Sequence, residues 1–361
     1  MPRQAPTLVE VARAAGVSTA TAARALGNYG RVKESTREAV KRAAERLNYR
    51  PNELARSMIT GRTQSIGVIC GDVHVPFFAG VVRGITDVAR GRGYTVLITN
   101  SDEDWDTEVE SLGILQGSRV DGIIVSPSDT HRIDHLRRWS ESGRPLVMVD
   151  RASARLPTDA VVIDGPTAVE AAVDRLFDLG HERIAIVGEF SPAAEVERLF
   201  AALGEGMDGV DAFDFSPSIT RLIGYVRAHR RRGVPLDQAL IVGSGAYSID
   251  AAEEATARAL RRSVVPTAIV TTDNSMSLGA FRAVRASGLR VPEDLSFIGF
   301  DNQDWTEFAE PGISVIDQPA YSMGQTAARM LLDRIDGADT PPRIITEPAT
   351  FIERGSVASR A

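Results

Sequence analysis

Residues 7–26 read TLVEVARAAGVSTATAARAL, a pattern of two short helices meeting at a tight turn. Thr7 stands where an N-cap hydroxyl is wanted, and Glu10, three residues later, completes a capping box. Leu8, Val11, Ala12 and Ala15 recur at helical spacing and predict one apolar face, so the first helix ends near Gly16. Gly16 supplies a turn that a residue with a side chain makes only with strain. Val17 fills the angle between the helices and Ser18 caps the second one. Ala12 and Ala22 are small where the two helices must approach closely. Thr19, Ala20, Thr21, Ala23 and Arg24 are left on the exposed side of the second helix, a short polar surface with one long cation. Two helices joined by a brief Gly-containing turn form the helix-turn-helix pattern, whose second helix enters the major groove of DNA. An ordinary helical hairpin with solvated polar side chains is the alternative, and context decides between them.

Charge is the first part of that context. Residues 1–61 carry 11 Lys and Arg against 5 Asp and Glu, a local charge of +6, which leaves −13 on the rest of a chain whose total is −7. A polyanionic partner therefore meets a cationic head on an acidic body, and its affinity should fall with salt as phosphate contacts release counterions. The net charge of the whole chain hides this asymmetry.

Composition bounds the rest. A length of 361 residues predicts two or three domains, and 43% hydrophobic content fits a soluble globular protein. No apolar run approaches the roughly 20 residues of a membrane span. The N-terminus shows no apolar signal segment, so a cytoplasmic location is expected. The single cysteine, Cys70, excludes an internal disulfide framework and reads as a buried strand residue.

The head extends over residues 1–50. Asn28 to Arg31 is a polar loop, and Val40, Ala43, Ala44 and Leu47 mark a third helix between Lys33 and Leu47. Pro51 breaks that helix. Residues 51–63 form a joining segment: Asn52 to Met58 is a potential helix too short to be stable alone, and Gly61 to Thr63 reads as a flexible joint.

From Ser65 short β-branched runs alternate with amphipathic helices. Strands are predicted at Ser65–Cys70, Thr95–Thr99, Gly122–Ser126, Leu146–Asp150 and Ala160–Asp164. The alternation restarts with Arg183–Gly188, Ala239–Gly243, Ala268–Thr272 and Leu295–Asp301, and closes with Ile313–Pro319 and Arg343–Ile352. Such alternation implies parallel sheets covered on both faces, and two successive sets imply an α/β core of two doubly wound lobes. Ligands of such sheets bind beyond the carboxyl ends of the strands. Ser126, Asp150, Asp164, Asp273 and Asp301 all fall at predicted strand ends. Helix capping explains any single one of them; their joint position facing one cleft is what suggests a site.

The order of parts, together with the local blocks, resembles the LacI/GalR (lactose-repressor) family of bacterial transcription regulators. The blocks are TLVEVARAAGVSTATAARAL, VKESTREAVKRAAERLNYRPNELARSM, SIGVI, RVDGIIV, LGHERIAIVG, SLGAFRAVRASGLRVPEDLSFIGFDN, QPAYSMGQTAARMLLDRI and IERGSV, spread over essentially the whole chain. The resemblance implies two periplasmic-binding-protein-like lobes, one of residues 64–163 and 318–347, the other of 164–317 and 348–361. It implies a homodimer on a near-palindromic double-stranded operator, most simply a repressor, controlled by a small molecule bound between the lobes. By the same resemblance Thr7 and Ser18 hold phosphates, Thr19, Ala20, Thr21 and Arg24 face the bases, and Arg24 donates bidentately to guanine. Asn52 and Ala55 match the minor-groove face of the joining helix, and Met58 the apolar wedge that kinks DNA.

For the effector, Phe77 and Phe78 match an aromatic stacking surface, and Asp150, Asp273 and Asp301 match polar contacts, with Ser126 beside them. Two features depart from the family. Asp273-Asn274 stands where relatives commonly read Asn-Asp, so donor and acceptor are exchanged there. The Arg-Leu-x-Gly-Tyr block occurs at Arg221 to Tyr225, whereas Arg198-Leu199 has the family's spacing from Gly188. The motif favours Arg221 as the effector-contacting residue, with about 23 residues near Arg198 to Thr220 inserted beside the cleft mouth.

Other signals are set aside. Gly204 to Gly209 fits G-x-G-x-x-G, but no strand precedes it and Glu205 and Asp208 would repel a pyrophosphate. His131 and His135 stand four apart without a third ligand, so both read as residues of a solvated helix face and no metal is expected. Asp102 to Asp106 reads as the acidic start of a helix, with Asp102 a weaker ligand candidate. No catalytic arrangement has recognisable context, and no cofactor is expected. A solute-binding protein, a purine- or nucleoside-responsive regulator and an α/β enzyme with a fused head are the alternatives. Aspartates, an Arg and stacking rings favour a sugar or sugar derivative, because each hydroxyl both donates and accepts. No apolar heptad tail precedes Ala361, so a coiled-coil tetramer is not expected.

Overall fold

The computed structural model describes residues 6–27, 30–49, 61–190, 196–201 and 215–360. The chain divides into two compact units, Met1–Ser65 with Arg119–Asp121, and Ile66–Ser118 with Gly122–Ala361.

In the first unit, helices α1 (Leu8–Ala14), α2 (Thr19–Gly27) and α3 (Glu34–Arg46) pack pairwise. Their core is small: Val11, Ala12, Ala22, Ala25, Val40, Ala43 and Ala44 are buried, with Leu8, Val17 and Leu47 packed at its margin. Alanines at five of these seven places let the helix axes approach closely. Both halves of the Thr7–Glu10 capping box are formed, and Gly16 has a left-handed φ of 67° at the turn. Thr63, predicted as part of a loose joint, is instead held: its N–H donates to Asp121 Oδ1 at 2.8 Å and that of Gln64 to Asp121 Oδ2 at 2.9 Å.

The second unit consists of two α/β lobes. The first runs β1 (Ser65–Cys70), α4 (Pro76–Gly91), β2 (Thr95–Asn100), α5 (Trp105–Gly117), β3 (Ile123–Val125), α6 (Asp134–Glu141), β4 (Leu146–Val149) and β5 (Asp159–Ile163). The second runs α7 (Gly165–Asp178), β6 (Ile184–Gly188), α8 (Pro217–Arg232), β7 (Ile241–Gly243), α9 (Ile249–Leu260), β8 (Ala268–Thr271), α10 (Asn274–Ala286), β9 (Ser296–Phe300), α11 (Asp304–Phe308) and β10 (Ser314–Asp317). The chain then returns to the first lobe through α12 (Ala320–Ile335) and β11 (Ile344–Glu347), and ends in the second with β12 (Thr350–Ile352). Strand order is β11-β5-β4-β3-β1-β2 in one sheet and β12-β10-β9-β8-β6-β7 in the other. The pairings from β11 to β1 and from β10 to β7 are parallel, and β12 is antiparallel to β10. The central strands are buried on both faces, which is why they read as continuous Val and Ile runs without alternation.

Three differences from the sequence reading have physical causes. The closing segment Arg343–Ile352 is divided between two sheets, because Pro348 interrupts it and the chain changes lobe there. The predicted strand Ala239–Gly243 begins with a single 3-10 turn at Gln238–Leu240, capped by Asp237 through Ala239 N–H at 2.9 Å. Helix α8 was not predicted, since its β-branched and glycine residues blur the helical signal and it is buried over most of its surface. Pro217 starts it and Gly233, with φ 65°, ends it.

Helix α8 lies tight against α7. A Cβ at Gly224 would stand 2.1 Å from the carbonyl oxygen of Pro166 and 3.0 Å from the N–H nitrogen of Glu170. Backbone on both sides leaves no flexible atom to yield. Gly224→Ala is therefore expected to force the helices apart and destabilise the core by about 1–3 kcal/mol, read as a lower midpoint in thermal or urea unfolding. An unchanged midpoint would show that the seam can relax.

Candidate effector cavity and DNA-reading head

The head presents α2 by its N-terminus. Ser18 Oγ accepts from Thr21 N–H at 3.2 Å and lies 2.9 Å from Thr21 Oγ1. No acidic residue stands in the first turn of α2, so the positive end of the helix is open to an anion. Thr19, Ala20 and Arg24 are exposed; Thr21 and Ala23, expected to be exposed, are half-buried, the hydroxyl of Thr21 being turned onto Ser18. Arg24 forms no ion pair with a described residue, and its stem passes beside Gly30. Thr7 is exposed with its hydroxyl and N–H engaged by Glu10. Those bonds hold the Glu10 carboxyl below its usual range, the backbone N–H of Thr7 contributing most. Asn52, Ala55 and Met58 lie outside the described residues.

In the core, a cavity of about 380 Å3 opens between the two lobes at the carboxyl ends of their strands. That volume falls in the range of roughly 300–1,000 Å3 common for small-molecule sites. Phe77 and Phe78, from the first turn of α4, line it as an edge-on pair with ring centroids 5.2 Å apart. Asp150 and Asp301 follow β4 and β9 with left-handed φ values of 69° and 67°. Aspartate is among the few residues that tolerate this region. Asp273 caps α10, accepting from Met276 N–H at 3.0 Å, and also lines the cavity.

Arg221, on α8, is the centre of the second lobe's wall and only 5% exposed. Its guanidinium donates to the carbonyl of Thr272 and, at 3.2 Å, to Gln318 Oε1, with its face 4.0 Å from the centroid of Phe300. Gln318 Nε2 in turn donates to Asp301 Oδ1 at 2.6 Å, while Asp301 Oδ2 accepts from Asn274 N–H at 3.1 Å. Burial pushes Asp150, Asp273 and Asp301 above the ordinary carboxylate range, Asp273 to about 6, and Arg221 pulls all three back down.

Several sequence-derived candidates fall elsewhere. Ser126 is buried and does not line the cavity; its hydroxyl has no partner among the described residues. Asp164 is a helix cap, accepting from Thr167 N–H at 3.0 Å. Arg198 does not line the cavity; its guanidinium stands 5.4 Å from the ring of Phe215. Asn274, expected to face the ligand with Asp273, spends its side-chain oxygen on the indole N–H of Trp305 at 3.0 Å. In the acidic run it is Glu103 that reaches the cavity, not Asp102. His135 is buried against Glu108 at 2.5 Å, so the solvated-face reading of that histidine is overturned.

The sequence reading also passed over Glu103, Arg151, Tyr247 and Gln318, all of which line the cavity. Arg151 follows directly on Asp150, and Gln318 sits in the QPAYSMG block, so both carried a signal. Tyr247 lies in an irregular loop after β7 and carried none.

A three-helix head with an open, acid-free helix end and a two-lobed core enclosing a polar cavity define a ligand-binding protein fused to a nucleic-acid-reading module. Comparison with known proteins identifies the family. Residues 7–52 match the bacterial regulatory proteins of the lacI family, 63–202 the periplasmic binding proteins and sugar binding domain of that family, and 173–357 the periplasmic binding protein-like domain. Catabolite control protein A of Priestia megaterium is 32% identical over 95% of this chain and 96% of its own. The transcriptional repressor CytR of Escherichia coli K12 is 33% identical over 92% and 91%. A solved complex of the transcriptional regulator CelR with cellobiose is 30% identical, covers 97% of this chain and 99% of its own, and superposes with a TM-score of 0.69. The chain belongs to the lacI family of bacterial regulatory proteins.

The raised carboxyl of Asp273 has a consequence for stability. Its folded value of about 6 lies above the ordinary 3.8, so the native state holds this proton more tightly than the unfolded chain, and stability is lost as pH climbs through that window. Asp273→Asn retains a capping oxygen without the buried charge. It is expected to stabilise the ligand-free protein by at most about 3 kcal/mol at pH 7 and by nothing below about pH 4. Melting curves at both pH values check this; equal effects at the two would mean that charge burial is not the cause.

Proposed function

We propose that this protein is a transcriptional repressor that binds a near-palindromic operator as a homodimer and changes its operator affinity when a polyhydroxyl small molecule, a sugar or sugar derivative, occupies the cavity. The observation that carries the reading is the ring of polar groups around Arg221, drawn from both lobes and set between the rings of Phe77, Phe78 and Tyr247. Hydroxyls can donate to Asp150, Asp273 and Asp301 and accept from arginine, while the apolar face of a pyranose or furanose lies on the aromatic rings. Cellobiose in the CelR complex is a ligand of this chemistry.

On this reading the head supplies the output. Ser18 and the N-terminus of α2 hold a phosphate, Thr19 and Ala20 face the bases, and Arg24 is the one long donor. Ala20 reaches no further than a thymine methyl. Asn52, Ala55 and Met58 are assigned by resemblance to the minor groove. The effector acts only through a difference in its affinity for two states of the protein, and reciprocity demands that operator DNA alter effector affinity by the same factor. The role is regulatory and exerted on chromosomal DNA in the cytoplasm, with no reaction of the effector.

Operator sequences selected from a random DNA pool test the output. Arg24→Ala is expected to weaken the selected site by about 5–150-fold while leaving bulk DNA binding within a few-fold; equal losses on both would reduce Arg24 to a phosphate contact. A thermal-shift screen of sugars and nucleosides identifies the effector class. With a hit in hand, Arg221→Ala should lower its affinity by at least about tenfold, and Arg198→Ala should not. The reverse result would move the effector contact to Arg198.

A further inference from the structure

The cavity is unbalanced in charge. The carboxylates of Glu103, Asp129, Asp150, Glu189, Asp273 and Asp301 line it, against the guanidiniums of Arg151 and Arg221. Both cations already make contacts within the protein, although Arg151 Nε has no hydrogen-bond partner among the described residues. Arg151 Nη1 lies 2.6 Å from Glu103 Oε2 and donates to the carbonyl of Pro127 at 2.9 Å. Arg221 is held by Thr272, Gln318 and the face of Phe300. An anionic ligand group would face the six carboxylates in a poorly screened space.

The acceptor side is different. The Asp150 side chain is 7% exposed, lines the cavity and accepts no hydrogen bond from a described residue; its nearest cation, Arg151 Nε, stands 3.7 Å away. Arg151 offsets part of the Asp150 charge, but no donor among the described residues satisfies its hydrogen-bonding capacity, which is left to the cavity. The backbone is also set to bring charge in. Asp102 and Glu103 are consecutive left-handed residues with φ 52° and 57°, and Gly71 makes room for the Glu103 carboxylate, which a Cβ at that place would meet at 2.1 Å. The aromatic rings of Phe77, Phe78 and Tyr247 complete the lining, and an aromatic face attracts a cation.

We infer that the cavity selects a polyhydroxyl ligand that carries a protonated amine, an amino sugar or a compound of that type, with the ammonium group received by Asp150. This rests on the reading of the cavity as the effector site. Asp150 supplies a carboxylate that accepts no hydrogen bond from a described residue, the surrounding carboxylates the negative field, and the hydroxyl-bearing frame is held by the same groups that would hold a neutral sugar. Sugar phosphates and sugar acids are excluded by the same field.

Isothermal titration calorimetry on the full chain tests this with matched ligands: glucosamine, galactosamine and mannosamine, their parent hexoses, and the hexose 6-phosphates. At least one amine is expected to bind about tenfold or more tightly than its parent, with no binding of the phosphates. The advantage should shrink as salt is raised in the wild-type protein, a measurement that needs no variant. Asp150→Asn, which the left-handed backbone tolerates, should cost the amine about tenfold or more beyond what it costs the parent sugar, so that the two then bind alike. A parent hexose or phosphate that binds as tightly as its amine, or an amine advantage that survives in Asp150→Asn, overturns the inference. Silence of the whole panel overturns it too. A neutral sugar that binds and shifts operator affinity while no amine does so defeats this inference alone; a ligand that binds the cavity without changing operator affinity defeats the regulatory reading instead.

Discussion

The guanidinium of Arg221 is the charge around which the core is arranged. It is carried by α8, reaches the carbonyl that ends β8, and touches Gln318 at the point where the chain leaves the second lobe for α12. Gln318 passes the constraint on to Asp301, and Asp301 to the N-terminus of α10. A cation buried this deeply is costly unless paired and fully hydrogen-bonded. Its partners therefore come from three separate elements, and their positions are tied to one another. Removing the side chain would take from Asp273 and Asp301 the cation that opposes their burial, and would leave Asp150 with Arg151 alone.

That arrangement also suits a two-lobed switch. Asp150 belongs to the first lobe, while Arg221, Asp273 and Asp301 belong to the second, so the relative position of the lobes sets an electrostatic balance across the cavity. Arg151 and Glu189 face one another across the same gap in sign, and Asp150 is attracted by Arg221 and repelled by Asp301. On the proposed reading, a ligand that supplies hydroxyl donors or a cation would shift this balance. The differential interaction is then physical and local, which is what coupling between sites requires. In the head, on the proposed reading, the small side chains on α2 would limit direct readout to few base edges, so that sequence preference would rest on Arg24 and on the deformability of the DNA.

How far the sequence carried these conclusions depended on the range of the interactions. The capping box at Thr7 and Glu10 and the turn at Gly16 are local, and both are present as read. The β-strands of both lobes were legible because double burial demands β-branched residues throughout. Helix α8 was not, because packing, not periodicity, defines a helix that is buried nearly all round. Of five polar residues at strand ends, Asp150, Asp273 and Asp301 line the cavity, Asp164 caps a helix and Ser126 is enclosed. A strand end looks the same in sequence whether its side chain points into the cleft or behind it.

The sequence by itself determined the parts: a cationic helix-turn-helix head, an α/β core in two sets, and the motif that contains Arg221. These follow from composition, period and turn chemistry, all of which act over a few residues. Only the tertiary structure decided which acids share the cavity, that Glu103 enters it where Asp102 does not, and that Asp150 is left without a donor. Those outcomes depend on residues far apart in the chain meeting within hydrogen-bond distance, on Gly71 leaving a gap opposite one side chain, and on two carboxylates turned inward by a left-handed backbone. No local pattern encodes them, because each is a property of the space that the two lobes enclose.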